Sequence, residues 1–115
     1  MPQGISADLI ATLEGFTREQ LDAFAAASQA RAAAALQHGW FAKSVVPVKD
    51  KAGQIVLDQD EYPRPGTTVE TLATLKPSFE ALGAHRPDNG ESFDEMALRV
   101  YPQAGTIQHV SGFTI

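Results

Sequence analysis

Arg64 is the residue whose surroundings in the sequence point most directly to chemistry. It stands between Pro63 and Pro65, shortly before a helix that we predict to begin at Thr67. A guanidinium forms paired hydrogen bonds with phosphate oxygens, and the free N–H groups at a helix N-terminus also favour anions. The arrangement therefore indicates an anion site, although an ordinary loop cation explains the same residue.

Carboxylates provide a second candidate group at Asp58, Asp60 and Glu61. Acidic side chains in this density can act as general acids and bases. A solvated acidic loop accounts for them equally well, because residues 58–66 are rich in acidic residues and proline, as expected for an extended loop.

The other common catalytic and metal-binding patterns are missing from the sequence. The three histidines, His38, His85 and His109, lack the short spacings that bring metal ligands together, so we predict no metal site. Neither a glycine-rich phosphate loop nor a G-x-S-x-G nucleophile motif occurs. Cysteine is absent, which excludes disulfides, thiolate ligands and a cysteine nucleophile.

Length and composition describe an ordinary globular chain. Its 115 residues (12.3 kDa), 43% of them hydrophobic, are enough for one domain, 1–115. The net charge of −5 argues against nucleic-acid binding. The longest apolar run, residues 32–36, is far below the roughly 20 residues of a membrane span. No signal peptide is visible at Met1, so we expect a cytoplasmic protein with no membrane partner.

Helix starts are the strongest structural signals. Three pairs share the capping-box spacing: Thr17 and Gln20, Thr67 and Glu70, Ser92 and Glu95. They predict a long helix ending before Gly39, a second that Pro77 halts, and a third that ends at Tyr101. A further helix is predicted over residues 6–14, with Gly15 after its end.

The long helix predicted between Thr17 and Gly39 carries an apolar stripe that contains several small residues, which favours close packing against another element. Its members recur at helical spacing: Leu21, Phe24, Ala25, Ser28, Ala32, Ala35 and Leu36.

Strand signals are fewer. Residues 45–48 and 55–57 flank a polar connector with Gly53, which predicts a hairpin whose first strand Pro47 confines to an edge. Residues 80–90 are expected to form a surface loop, and residues 106–115 alternate like a strand. The tally of about four helices and a short hairpin defines a small single-domain α+β fold.

Several segments together resemble the thiolase family. Residues 15–25, GFTREQLDAFA, are similar to a thiolase segment that precedes an alanine-rich helix. Residues 39–48, GWFAKSVVPV, resemble the segment G-x-F-x-x-E-I-V-P-V that leads into a thiolase strand, with Ser44 in place of the usual acidic residue. Residues 60–68 and 72–79 resemble D-E-x-x-R-P-x-T-T and L-A-x-L-K-P-A-F. The insert at residues 93–98 is similar to the longer acyl-CoA acetyltransferases of lipid breakdown.

The resemblance implies a thiolase loop domain, the part of the enzyme that covers the active site and holds coenzyme A. Arg64 matches the arginine that contacts the nucleotide end of coenzyme A, Thr71 lies near a family Ser or Thr, and Met1 matches a methionine beside the pantetheine channel. Acyl-CoA is the implied ligand. A second copy of the chain or a thiolase core is the implied protein partner.

Catalysis by residues 1–115 alone is not expected. Thiolases use two cysteines and a histidine outside the loop domain, and the family's pantetheine-lining segment would begin near Gly112. The resemblance therefore implies a fragment without either half of the catalytic core, with at most weak coenzyme A affinity and no metal. The alternative is a structural, oligomerisation or protein-interaction module.

Overall fold

A computed structural model describes residues 1–112. Within them lie five α-helices and one two-stranded sheet, an α+β fold as predicted. The chain divides into two units, each described by itself. The terminal unit contains residues 1–25 and the described residues from 68 onward, and the hairpin unit contains residues 26–67.

The helices of the terminal unit begin and end at local signals. α1 spans Gln3–Glu14, three residues longer than predicted at its start, and ends at Gly15, whose φ of 69° is left-handed. α2 spans Arg18–Gln37 and crosses into the hairpin unit. The Thr17 and Gln20 capping box is confirmed, because the Thr17 N–H donates to Gln20 Oε1 at 2.9 Å and the Gln20 N–H to Thr17 Oγ1 at 3.3 Å.

Three shorter helices complete the terminal unit: α3 (Val69–Ala73), α4 (Glu80–Gly83) and α5 (Phe93–Val100). The predicted Ser92 and Glu95 capping box begins α5. Short 3₁₀ turns follow α4 at Pro87–Asn89 and α5 at Pro102–Ala104. Leu9 of α1, Ala97 of α5 and Ile107 form the core, with Leu98 and Ala104 packed against it.

The start of α3 differs from the prediction. Thr68, not Thr67, is the N-cap, and Thr71 takes the role predicted for Glu70. Thr68 has the extended backbone that an N-cap requires, whereas the Thr67 hydroxyl donates to the Arg64 carbonyl at 2.7 Å. α3 also ends at Ala73, before Pro77 is reached.

Two other predictions for this unit were wrong. Residues 80–90 contain α4 and a 3₁₀ turn, because the Gly83 and Ala84 N–H groups find carbonyl acceptors at Phe79 and Glu80. Residues 106–112 form no strand, because side chains, not a neighbouring strand, accept several of their N–H groups. Residues 113–115 of that predicted strand lie outside the described residues.

In the hairpin unit, β1 (Val48–Lys49) pairs antiparallel with β2 (Ile55–Leu57). Gly53, with a φ of 83°, supplies the left-handed residue of the connector. The predicted hairpin is confirmed, although β1 is shorter than predicted because it begins after Pro47, which has no N–H to donate. α2 ends at Gln37, followed by the left-handed Gly39 as predicted.

The apolar stripe of α2 is not the buried face that its spacing predicted. Phe24 is 75% exposed and Leu36 37% exposed, whereas Ala35 is buried. The alanines surround the helix, so no single face is strongly apolar. No helix within residues 1–112 has the length and apolar composition that crossing a membrane requires.

Candidate functional site

Arg64 lies on the loop of the hairpin unit with its backbone fixed on both sides. Its N–H donates to the Oε1 atom of Gln29 on α2 at 2.8 Å. Its carbonyl accepts from the Thr67 hydroxyl at 2.7 Å, across the left-handed Gly66, whose φ is 82°. The loop position of Arg64 is therefore set by contacts that do not use the guanidinium.

The Arg64 side chain itself is available to a ligand. The residue is exposed, and none of the ion pairs among residues 1–112 includes it. Its five N–H donors suit a phosphate or carboxylate. α3 begins one residue later than predicted and belongs to the terminal unit, so we assign the attraction of Arg64 for an anion to its guanidinium alone.

The other two predicted ligand contacts belong to the terminal unit. The Thr71 hydroxyl donates to the Thr68 carbonyl at 2.9 Å and accepts from the Thr68 N–H at 3.1 Å, so the cap of α3 already occupies it. Met1 is 59% exposed ahead of α1. The shared role of Arg64, Thr71 and Met1 in binding one ligand stays a prediction.

The remaining candidates have simple local roles. Asp58, Asp60 and Glu61 are exposed, and Asp60 accepts from the Tyr62 N–H at 2.9 Å to form a turn. His38 directly follows α2, and its ring Nδ1 lies 2.7 Å from the Ala34 carbonyl of that helix. No group of three metal-ligating side chains suited to an ion occurs in the described part of the chain.

Sequence spacing missed the most connected polar cluster, which we call the His109 cluster (His109, Asp8 and Asp94). His109 Nδ1 lies 2.9 Å from Asp8 Oδ2 on α1, and His109 Nε2 lies 2.9 Å from Asp94 Oδ2 on α5. Asp8 is fully buried, and its Oδ1 accepts from the Val110 N–H, the Ser111 N–H and the Ser111 hydroxyl.

The electrostatics of the cluster favour a charged imidazole. Burial alone lowers the pKa of His109, but the hydrogen bonds and negative charges of Asp94 and Asp8 outweigh it and raise the pKa above its usual value. Asp8 lies 101 residues before His109, and Asp94 lies 15 residues before it. No local motif could therefore have revealed the cluster.

Comparison with known proteins places the chain in a family. The model of the thiolase N-terminal domain matches residues 1–90, more than half of the chain. The chain belongs to the thiolase family, as the sequence segments indicated.

Individual relatives agree with this assignment. An acetyl-CoA acetyltransferase of Thiocystis violacea is 46% identical over 100 residues, which cover 84% of this chain. An acetyl-CoA acetyltransferase of Pseudomonas aeruginosa is 44% identical over the same share. A 3-ketoacyl-CoA thiolase of Escherichia coli O1:K1 / APEC is 48% identical over 82 residues, or 69% of this chain.

The matched segment is a small part of each relative. It covers 25% of the two acetyltransferases and 21% of the Escherichia coli thiolase. The chain therefore spans about a quarter of the length of these proteins.

Proposed function

We propose that residues 1–115 form the loop-domain portion of a thiolase-like acyltransferase and contribute a binding site for coenzyme A or acyl-CoA. The observation that carries the proposal is the exposed Arg64 side chain on a backbone held by Gln29 and Thr67. The family membership and the relatives' printed names, which refer to CoA thioesters, support the choice of ligand.

The phosphates of coenzyme A are suitable partners for this arginine. A guanidinium donates two parallel hydrogen bonds to a phosphate, and a fixed loop loses less conformational entropy when the ligand binds. Because a single exposed cation carries the contact, we expect a dissociation constant no tighter than high micromolar, equivalent to about 5 kcal/mol. As the resemblance implies, we propose Met1 as a residue beside the pantetheine channel and Thr71 as a further cofactor-binding residue.

Residues 1–115 contribute binding and not the nucleophile. Thioester exchange by a thiolase requires a thiolate, and the sequence contains no cysteine. We therefore propose that these residues do not catalyse acyl transfer by themselves and that their role belongs to cytoplasmic lipid metabolism alongside a thiolase core.

Calorimetric titration tests this proposal. The chain is titrated with coenzyme A and with dephospho-coenzyme A, and both titrations are repeated with Arg64→Ala and Arg31→Ala. Arg31 is also exposed, on α2 in the same unit, so its variant controls for the loss of one positive charge.

Two results distinguish the possibilities. Binding that weakens without the 3′-phosphate and with Arg64→Ala, but not with Arg31→Ala, supports the proposal. An absence of heat with the unmodified chain, or equal weakening by both variants, overturns it.

A second candidate function, a protein-interaction or self-association module, has its own supporting observation. Both strands of the hairpin are exposed, with Val48, Ile55 and Val56 at 54%, 55% and 63%. Adjacent exposed apolar side chains of this kind are typical of interfaces. Val56→Glu should abolish any concentration-dependent assembly seen by light scattering, whereas Gln54→Glu, which adds the same charge nearby, should not. If light scattering shows a monomer at every concentration, self-association is excluded.

A further inference from the structure

The two ring nitrogens of His109 face acceptors on two different helices. A neutral imidazole has one N–H donor, whereas an ionised carboxylate only accepts hydrogen bonds. Two carboxylate oxygens, each 2.9 Å from a ring nitrogen, are both satisfied only when both nitrogens carry hydrogen. The geometry therefore matches an imidazolium between two carboxylates.

We infer that His109 is a charge-dependent latch, whose protonated ring holds residues 108–112 against α1 and α5. The Oδ1 atom of Asp8 connects the ring to this segment, because it accepts from the Val110 N–H at 3.3 Å and the Ser111 N–H at 3.0 Å. The Ser111 hydroxyl adds a third contact to the same atom at 2.7 Å. The carboxylate that accepts these three hydrogen bonds is thus the one that needs the positive ring. Thr12 and Ser78 hold Gln108 and the Ser111 carbonyl independently of the ring, so the latch acts on the Val110 and Ser111 amides.

Loss of the ring's charge leaves Asp8 in an unfavourable state. Asp8 is fully buried on α1, and a buried carboxylate without a countercharge is strongly destabilised. A neutral ring would also direct a lone pair at one of the two carboxylates. Release of residues 108–112 would relieve both effects, because Asp8 could then be hydrated.

The surroundings contain no second cation for Asp8 or Asp94 among the described ion pairs. Asp8 from α1 and Asp94 from α5 are the charged groups in hydrogen-bond contact with the ring. From α4, Gly83 approaches without a side chain, and a Cβ there would lie 2.7 Å from His109 Cε1. Asp94 lies in the first turn of α5, where the helix dipole favours its negative charge, and its buried Oδ1 has no hydrogen-bond partner.

The direction of the pH effect follows from the linkage between charge and attachment. The pKa of His109 is raised in the folded state above its unfolded value. The stabilisation is therefore fully present below the ordinary histidine pKa and is lost as the pH rises through the raised value. The segment should stay attached in mildly acidic solution and detach in alkaline solution.

Nuclear magnetic resonance of the unmodified chain provides the primary test. Imidazole ¹⁵N spectra should show both His109 nitrogens protonated near pH 6, with deprotonation above the ordinary histidine range because the pKa of His109 is raised. Hydrogen-exchange protection of the Val110 and Ser111 amides, corrected for intrinsic exchange, should decrease in the same pH step. The expected loss of protection is roughly tenfold or more.

The Asp94→Asn variant provides a second test. Asp94 is partly exposed, so removal of its charge should not unfold the chain. The variant should lower the pH at which the segment loses protection. His38→Gln, at an exposed position just after α2, is the matched control and should leave that pH unchanged. A neutral His109 near pH 6, or protection that is independent of its titration, would overturn the inference.

Discussion

The Nε atom of Arg18 lies 2.8 Å from each carboxylate oxygen of Asp22, one helical turn further along α2. Asp22 is only 2% exposed. The other guanidinium nitrogens of Arg18 donate to the carbonyls of Leu72 and Leu75, at and beyond the end of α3. One side chain thus neutralises a buried carboxylate and donates to two carbonyls at and beyond the end of a neighbouring helix.

Arg18→Ala should therefore destabilise the chain. The substitution leaves Asp22 buried without its partner, a change that costs about 3 kcal/mol. Urea unfolding monitored by circular dichroism measures the difference. Arg31→Ala, on the exposed surface of the same helix, should change stability by less than about 0.5 kcal/mol. Equal effects of the two variants would show that the Arg18 contacts do not stabilise the fold.

The helix caps should differ in strength according to burial. Ser92 is 5% exposed and its hydroxyl accepts from the Glu95 N–H at 3.2 Å, whereas the α3 cap at Thr68 is exposed. Ser92→Ala should cost about 1–2 kcal/mol and Thr68→Ala about 0.5 kcal/mol. The same urea unfolding compares them. A larger loss from Thr68→Ala would contradict the role given to burial.

Local signals explain why part of this fold was predictable. The capping boxes at Thr17 and Ser92 depend on residues three apart, and the hairpin depends on a short connector with Gly53. In each case the interacting residues lie close together in the sequence. The position of Arg64 before its helix was also visible, although the cap moved by one residue because two adjacent threonines could each fill it.

The His109 cluster was not predictable in the same way. Its members are brought together by the packing of α1 against α5, and nothing near His109 in the sequence marks it as paired. Within residues 106–112 the predicted strand failed for the same reason, because the acceptors of the N–H groups, Asp8 and the Thr12 hydroxyl, lie on a helix about a hundred residues earlier. Alternation shows that a segment is half-buried, not what its backbone will bond to.

Glu95 should contribute to the acid sensitivity of the chain. The hydrogen bond from Arg86 and that from the Ser92 N–H lower the pKa of Glu95 below its usual value of 4.5. A lowered folded-state pKa gives stability that is fully present above the unfolded value and is lost as the pH falls through the folded value. Glu95→Gln should therefore unfold with less dependence on pH below 4.5 than the unmodified chain does.

Arg86→Met is the matched variant for this effect, because it retains Glu95 and removes its cation at 2.5–2.6 Å. It should reduce the same pH dependence, and only in part, since the Ser92 N–H still donates to Glu95 at 2.8 Å. Thermal melts between pH 3 and pH 6 provide the comparison. An unchanged slope in both variants would exclude the pair as a source of acid sensitivity.

Gly83 lies against the His109 cluster, and its lack of a side chain should be essential there. A Cβ at this position would lie 2.5 Å and 2.6 Å from the two Asp94 carboxylate oxygens and 2.7 Å from His109 Cε1. Alanine normally stabilises a helix relative to glycine by up to about 1 kcal/mol, but overpacking costs about 1–3 kcal/mol. We expect Gly83→Ala to destabilise the chain because Asp94 and His109 must separate from α4.

The sign of the stability change decides between these effects. Gly90→Ala is the control, since its Cβ would meet only the Pro87 carbonyl at 3.5 Å, an ordinary contact distance. Denaturant unfolding should show a loss for Gly83→Ala that clearly exceeds any loss for Gly90→Ala. The protection of the Ser111 amide should fall in the first variant and not in the second, because only Gly83 contacts the ring that holds Asp8. A stabilised Gly83→Ala would mean that α4 moves away from the cluster without cost, so that its close approach does not position His109.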